Sequence, residues 1–102
     1  LIAGLGALPL AAIVDHELTF TVPRRTTADT GIDSLTHALE AFVSKRANPV
    51  SDMYAREAMR LIGPHLRAVW HRPDDAAARE AMMLGASLAG LAFSNASVAL
   101  VH

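Results

Sequence analysis

The stretch Thr30-Gly-Ile-Asp-Ser-Leu-Thr-His-Ala-Leu-Glu40 decides how this chain is read. Apolar positions Ile32, Leu35, Leu39 and Phe42 recur at helical spacing, and Thr26, Thr27 or Asp29 supplies a cap for a helix running to about Ser44. Within it Asp33 and His37 lie four residues apart, so a helix stacks both on one face. A hard carboxylate oxygen and a borderline imidazole nitrogen that converge in this way suit Fe²⁺ or Zn²⁺ better than Ca²⁺ or a thiolate-loving metal. The pair is weak evidence by itself, because carboxylates and imidazoles at this spacing are common on solvated helix faces. Gly31, inside the helix, costs up to about 1 kcal/mol relative to alanine and marks a close approach by backbone or ligand.

Outward from this helix the chain continues in the same manner. Asn48-Pro49 separates it from a second helix of about Asp52 to Ile62, with Ser51 or Asp52 near the N-cap. Gly63-Pro64 is expected to break or bend that helix, with a short continuation to about His71. Pro73-Asp74-Asp75 opens a third long helix, acidic in its first turn as the helix dipole favours. On the N-terminal side, Leu10–Val14 reads as a short buried strand followed by a turn, and Phe20–Pro23 as extended chain.

With 102 residues the chain is at most one domain, able to bury roughly two thirds of its unfolded surface. A net charge of −1 provides no basic footprint for nucleic acid. There is no cysteine, so disulfides and thiolate metal sites are excluded, and a cytoplasmic setting is the default. The uncharged run Leu1–Val14 is too short to span a bilayer and is interrupted by Pro9. Ala81–Val101 is long enough, but it is rich in Ala, Gly and Ser and carries Asn95. Its small residues at i,i+4 spacing (Gly85/Ala89, Ala86/Gly90) fit a buried core helix better than a membrane span. The opening Leu-Ile-Ala-Gly without methionine and the stop at Val101-His102 suggest a piece of a longer protein.

Four segments together point to a family: Ile13-Val-Asp-His-Glu-Leu-Thr19 with Pro23; Thr30 to Ala41; Ala47-Asn-Pro-Val-Ser-Asp52; and Ala89-Gly-Leu-Ala-Phe-Ser-Asn-Ala-Ser-Val-Ala-Leu-Val-His102. In this combination the chain resembles the iron-containing (group III) alcohol dehydrogenases along essentially its whole length. The resemblance implies a mainly α fold. Residues 1–23 would be the tail of a nucleotide-binding α/β domain, a short strand and loop remnant. Residues 24–102 would be a helical metal-binding domain, incomplete at its C-terminus. It further implies metal ligands at Asp33, His37 and His102, with the third family histidine beyond the terminus and the Gly-rich pyrophosphate loop upstream of Leu1. Phe93 falls at a substrate-channel position, and Leu18 and Val22 fall in a stretch that passes the cofactor. The implied cofactors are Fe²⁺ (or Zn²⁺) and NAD or NADP. The implied partners are an alcohol and its aldehyde or ketone, and self-association of the chain. Two departures stand out: His16 occupies a position where proline is common, and Ala99 one where many relatives have glycine.

In such an enzyme the metal acts as a Lewis acid on the alcohol oxygen while the carbon passes hydride to nicotinamide. Two histidines and one carboxylate also match the facial triad of non-haem iron oxygenases, but the flanking motifs do not. The alternative of another class is a non-catalytic helical module that binds metal or a protein partner. Elsewhere, His16, His65 and His71 read as solvent-facing, the four methionines as core filler, and Arg24-Arg25 as an exposed turn. Glu40 reads as a solvated or helix-pairing carboxylate ahead of a partner to a metal-bound imidazole. Asn95 either bonds backbone at a helix end or touches substrate.

Overall fold

The structure, a computed structural model, describes residues 5–96. Three α-helices account for most of them: α1 (Arg24–Val43), α2 (Pro49–His71) and α3 (Ala76–Ala96). Each packs against the other two. Two 3₁₀ turns, Leu5–Ala7 and His16–Thr19, precede them, and there is no strand among the described residues.

The helix boundaries follow from local chemistry, though not always at the expected residues. α1 begins earlier than Thr26, at Arg24, without a side-chain cap. Pro23 (φ −55°, ψ 146°) delivers the chain into the helix, and its carbonyl accepts from Thr27 N at 2.9 Å. Asp29, one of the expected caps, instead binds Arg25 Nε through both oxygens, at 3.0 and 2.9 Å.

α2 also begins early. Asn48 is its cap, accepting from Val50 N and Ser51 N, while Ser51 Oγ accepts from Asn48 N to complete a reciprocal box. Pro49 occupies the first helical position, where its missing N–H leaves no bond unmade. The expected break at Gly63-Pro64 does not occur, since α2 runs unbroken to His71. Gly63 has no Cβ to collide with the proline ring, and Leu61, Ile62 and Val69 are buried on both sides of it. At α3, Asp75 Oδ1 accepts from Ala78 N at 3.1 Å, so the aspartate caps the helix from just outside its first turn.

The core is built from small residues. Ala38, Ala58, Ile62 and Ala89 form one cluster, flanked by Leu35, Met59, Leu66, Met82 and Leu88. Ala41, Ala55, Ala92 and Ala96 form a second, with Phe42, Tyr54 and Phe93 against it. A Cβ on Gly85 would meet Ile62 Cγ1 at 2.6 Å, so this glycine sets how closely α2 and α3 approach. A Cβ on Gly31 would collide with Leu66 Cδ1 and meet Met82 Cε at 3.0 Å. The close approach expected at Gly31 is therefore made by side chains of the neighbouring helices.

Two further readings are corrected. Leu10–Val14 forms no strand: the segment is irregular, and Leu10, Ile13 and Val14 are exposed, because no neighbouring strand among the described residues offers backbone partners. Met53 is exposed, not core filler, while Met59 and Met82 pack as expected. Among the described residues no helix is long and apolar enough to cross a membrane.

Candidate metal centre

α1 brings Asp33 and His37 together as the i,i+4 spacing requires. Asp33 Oδ2 lies 3.6 Å from His37 Nδ1. The aspartate side chain is 58% exposed, whereas the imidazole retains only 23%. The reason for the difference is Phe93 of α3, whose ring lies flat against the imidazole at 4.8 Å between centroids and 17° between planes. The seam between α1 and α3 thus joins two of the proposed ligands to the proposed channel residue. A divalent cation held by both donors sits about 2.0–2.2 Å from each, so donors up to about 4 Å apart share one ion. A separation of 3.6 Å meets that requirement. His102 lies outside the described residues, and among those described no group of three His, Cys, Asp or Glu side chains is placed to hold a metal. The donor set in view is half a site.

Leu18 and Val22 are not part of this cluster. Leu18 is exposed in the 3₁₀ turn, while Val22 lines a separate cavity with Thr19, Thr27, Gly31 and Arg79. Glu40, two turns along α1 from Asp33, is only 3% exposed, which removes the solvated reading of its carboxylate. Asn95 Nδ2 donates to Leu91 O at 2.8 Å, a backbone bond near the helix end. His71 is exposed, and His16 sits edge-on to Phe20 at 6.1 Å. His65 departs from the solvent-facing reading, being half-buried with Nδ1 2.7 Å from Leu61 O. Arg24 and Arg25 form the first turn of α1, with Arg24 over the Trp70 ring at 5.7 Å.

One residue escaped the sequence reading altogether. Arg79 is 3% exposed, wedged between α1 and α3. Its sequence context, Ala78-Arg-Glu80, is that of a solvated helix face, and nothing in the local pattern separates it from Glu80, which is exposed. Only its position opposite Thr27, 52 residues away, decides its burial.

Residues 27–102 match the Fe-containing alcohol dehydrogenase family, C-terminal. The chain belongs to that family. Long-chain-alcohol dehydrogenase 1 of Geobacillus thermodenitrificans is 56% identical over 91 residues, covering 89% of this chain and 23% of that protein. NAD-dependent methanol dehydrogenase of Bacillus methanolicus is 46% identical over 94 residues, covering 92% and 25%. The crystal structure of sulfoacetaldehyde reductase from Bifidobacterium kashiwanohense in complex with NAD⁺ superposes with a TM-score of 0.90 at 39% identity, covering 95% of this chain and 26% of that one. The chain therefore spans about a quarter of the length of the relatives it matches. Its helices have the fold of those enzymes' helical part.

Proposed function

We propose that this chain supplies the metal-binding helices of an NAD(P)-dependent alcohol dehydrogenase, with Asp33, His37 and His102 as ligands of a single Fe²⁺ or Zn²⁺. The observation that carries the reading is the joint placement of Asp33, His37 and Phe93. A carboxylate and an imidazole 3.6 Å apart share one helix face, and an aromatic wall lies flat on the imidazole from the facing helix. In this reading residues 1–23 belong to the end of a nucleotide-binding domain and residues 24–102 to the helical metal domain. Leu18 and Val22 face the nicotinamide cofactor's side of the cleft, and the whole protein is cytoplasmic.

When bound, the divalent ion supplies Lewis-acid chemistry at an alcohol or carbonyl oxygen. The chain's own residues set the conditions for it. Asp33 contributes a negative charge that retains the ion. Stacking on Phe93 holds the His37 ring in one orientation and keeps water from one of its faces. An oriented, neutral imidazole is what a metal ligand must present, since a protonated ring has no lone pair to give.

The test uses the full-length protein. Metal content and NAD(P)-dependent oxidation of a primary alcohol are measured for the wild type, Asp33→Ala and His37→Ala. Both variants are expected to lose most bound iron or zinc and at least a hundredfold of the activity, with helicity retained. Full metal occupancy in His37→Ala would refute the ligand assignment. Metal binding without turnover of any alcohol, aldehyde or ketone by the wild type would support the non-catalytic module instead.

A further inference from the structure

α1 and α3 run side by side in the same direction: Thr27 meets Arg79, His37 meets Phe93 and Ser44 meets Ala96. Near the start of this seam lies a cavity of about 160 Å³, lined by Thr27, Thr30 and Ser34 of α1 and Met82, Met83 and Ala86 of α3, with Thr19 and Val22 completing it. Steps of three and four residues carry both walls onward. On α1 the wall Thr27, Thr30, Ser34 continues to His37, and on α3 Ala86 continues through Gly90 to Phe93. The cavity and the Asp33–His37 pair therefore lie on one seam, separated by a single helical turn of about 4.5 Å from Ser34 to His37.

Gly90 stands at that turn. It is half-buried, and a Cβ built on it would meet nothing within 4 Å. Gly85, five residues earlier, is by contrast closed against Ile62 of α2. The space at Gly90 is wide enough to pass a chain from the metal pair to the cavity.

The walls select what the cavity takes. Val22, Gly31, Met82, Met83 and Ala86 are apolar. The hydroxyls are engaged within the protein: Thr19 donates to His16 O, Thr30 to Thr26 O and Ser34 to Thr30 O, while Thr27 accepts from Arg79 Nη1. Arg79 Nε donates to Pro73 O and Nη2 is buried, so the arginine lends the wall its stem and not its charge. A hydroxyl or charge on a substrate tail would lose its water here with no donor left to meet it. An alkyl chain loses nothing, and methionines adapt to its length. With the roughly 30 Å³ that one water claims in the liquid as the measure of a methylene, the cavity holds about five.

We propose that the substrate is an unbranched primary alcohol, or its aldehyde, whose tail runs from the Asp33–His37 pair past Gly90 into this cavity. Gly90 and Ala86 then set the chain length accepted. The placing of the oxygen rests on the metal-site reading above; the tail pocket does not.

Two measurements on the full-length protein test it: kcat/KM along the series ethanol, butanol, hexanol, octanol and 1,8-octanediol, and calorimetric binding of butanol and octanol to the metal-free protein. From butanol to octanol each methylene that leaves water should strengthen both about fourfold, roughly two-hundredfold in all. The diol should fall at least about tenfold below octanol. Gly90→Leu lays a side chain across the passage and should weaken octanol about a hundredfold in both measurements, with ethanol turnover held within about threefold. If Gly90→Leu does not fold, Ala86→Leu, which fills the cavity instead, should do the same. Equal values for butanol and octanol, or octanol unchanged in these variants, would overturn the tail pocket and leave the metal reading standing. Octanol binding that is lost in Gly90→Leu, in a protein that turns over no alcohol, would uphold the pocket and overturn the metal reading.

Discussion

Two apolar regions of this chain meet opposite fates. The segment before the first long helix carries Leu8, Leu10, Ile13 and Val14, and all four are exposed. The seam between α2 and α3 is made of Ala55, Ala58, Gly85, Ala89, Ala92 and Ala96, with far less apolar surface per residue, and all six are buried. Hydropathy alone would reverse the order. What separates the two is a partner surface of matching shape. Small side chains let two helix axes come close enough for backbone and Cβ atoms to fill the gap, whereas large ones in an irregular segment have nothing to fit.

Substitutions along the seam should break this contrast in graded steps, each read by urea denaturation. Ile62→Ala removes the largest fully buried side chain and should cost about 2–5 kcal/mol. Gly85→Ala drives a methyl against Ile62 Cγ1 and should cost about 1–3 kcal/mol. Combined with Ile62→Ala that cost should largely vanish, because the double variant removes the atoms that clash; strict additivity would argue against the contact. Asn48→Ala takes away the α2 cap and a bond to Asn95 O at 3.2 Å, and should cost about 1 kcal/mol. Gly90→Ala, five residues along α3 from Gly85 but with nothing within 4 Å of the new Cβ, should instead stabilise by up to about 1 kcal/mol. Leu10→Ser, in the exposed segment, should change stability by less than about 0.5 kcal/mol. A larger loss there would show that the segment is buried in the folded protein.

Helical spacing made the three helices legible, but of its four α1 positions only Leu35 and Phe42 pack against the core. Ile32 and Leu39, chosen for size, are exposed, while Thr27, Gly31, Ala38 and Ala41 face the bundle. Periodicity reports that a helix has a face, and which face is inward depends on what the neighbour can accept. Asn48-Pro49 was readable as a boundary because cap and proline chemistry are local. Pro64 does not break α2, because its tolerance rests on Gly63 and on tertiary anchoring of the flanking turns. The Asp33–His37 pair was visible from spacing, being four residues apart on one helix. The Phe93 stack on His37 spans 56 residues, so its geometry emerged only in the folded chain, although the family resemblance had marked Phe93. Arg79 was invisible for the same reason without that aid.

The two side chains that bridge from the α1–α2 connection to the end of α3 have a mechanical consequence. Ser44 Oγ donates to Ala96 O at 2.8 Å, and Asn48 Nδ2 to Asn95 O at 3.2 Å. Moving a helix by one residue along its own axis translates it about 1.5 Å and turns it about 100°. Such a screw motion would swing Phe93 off the His37 ring. With the carbonyls of Asn95 and Ala96 held from a neighbouring corner, any slide or roll of α3 would break both bonds, so the aromatic wall beside His37 is anchored from a point two to three residues further along the helix.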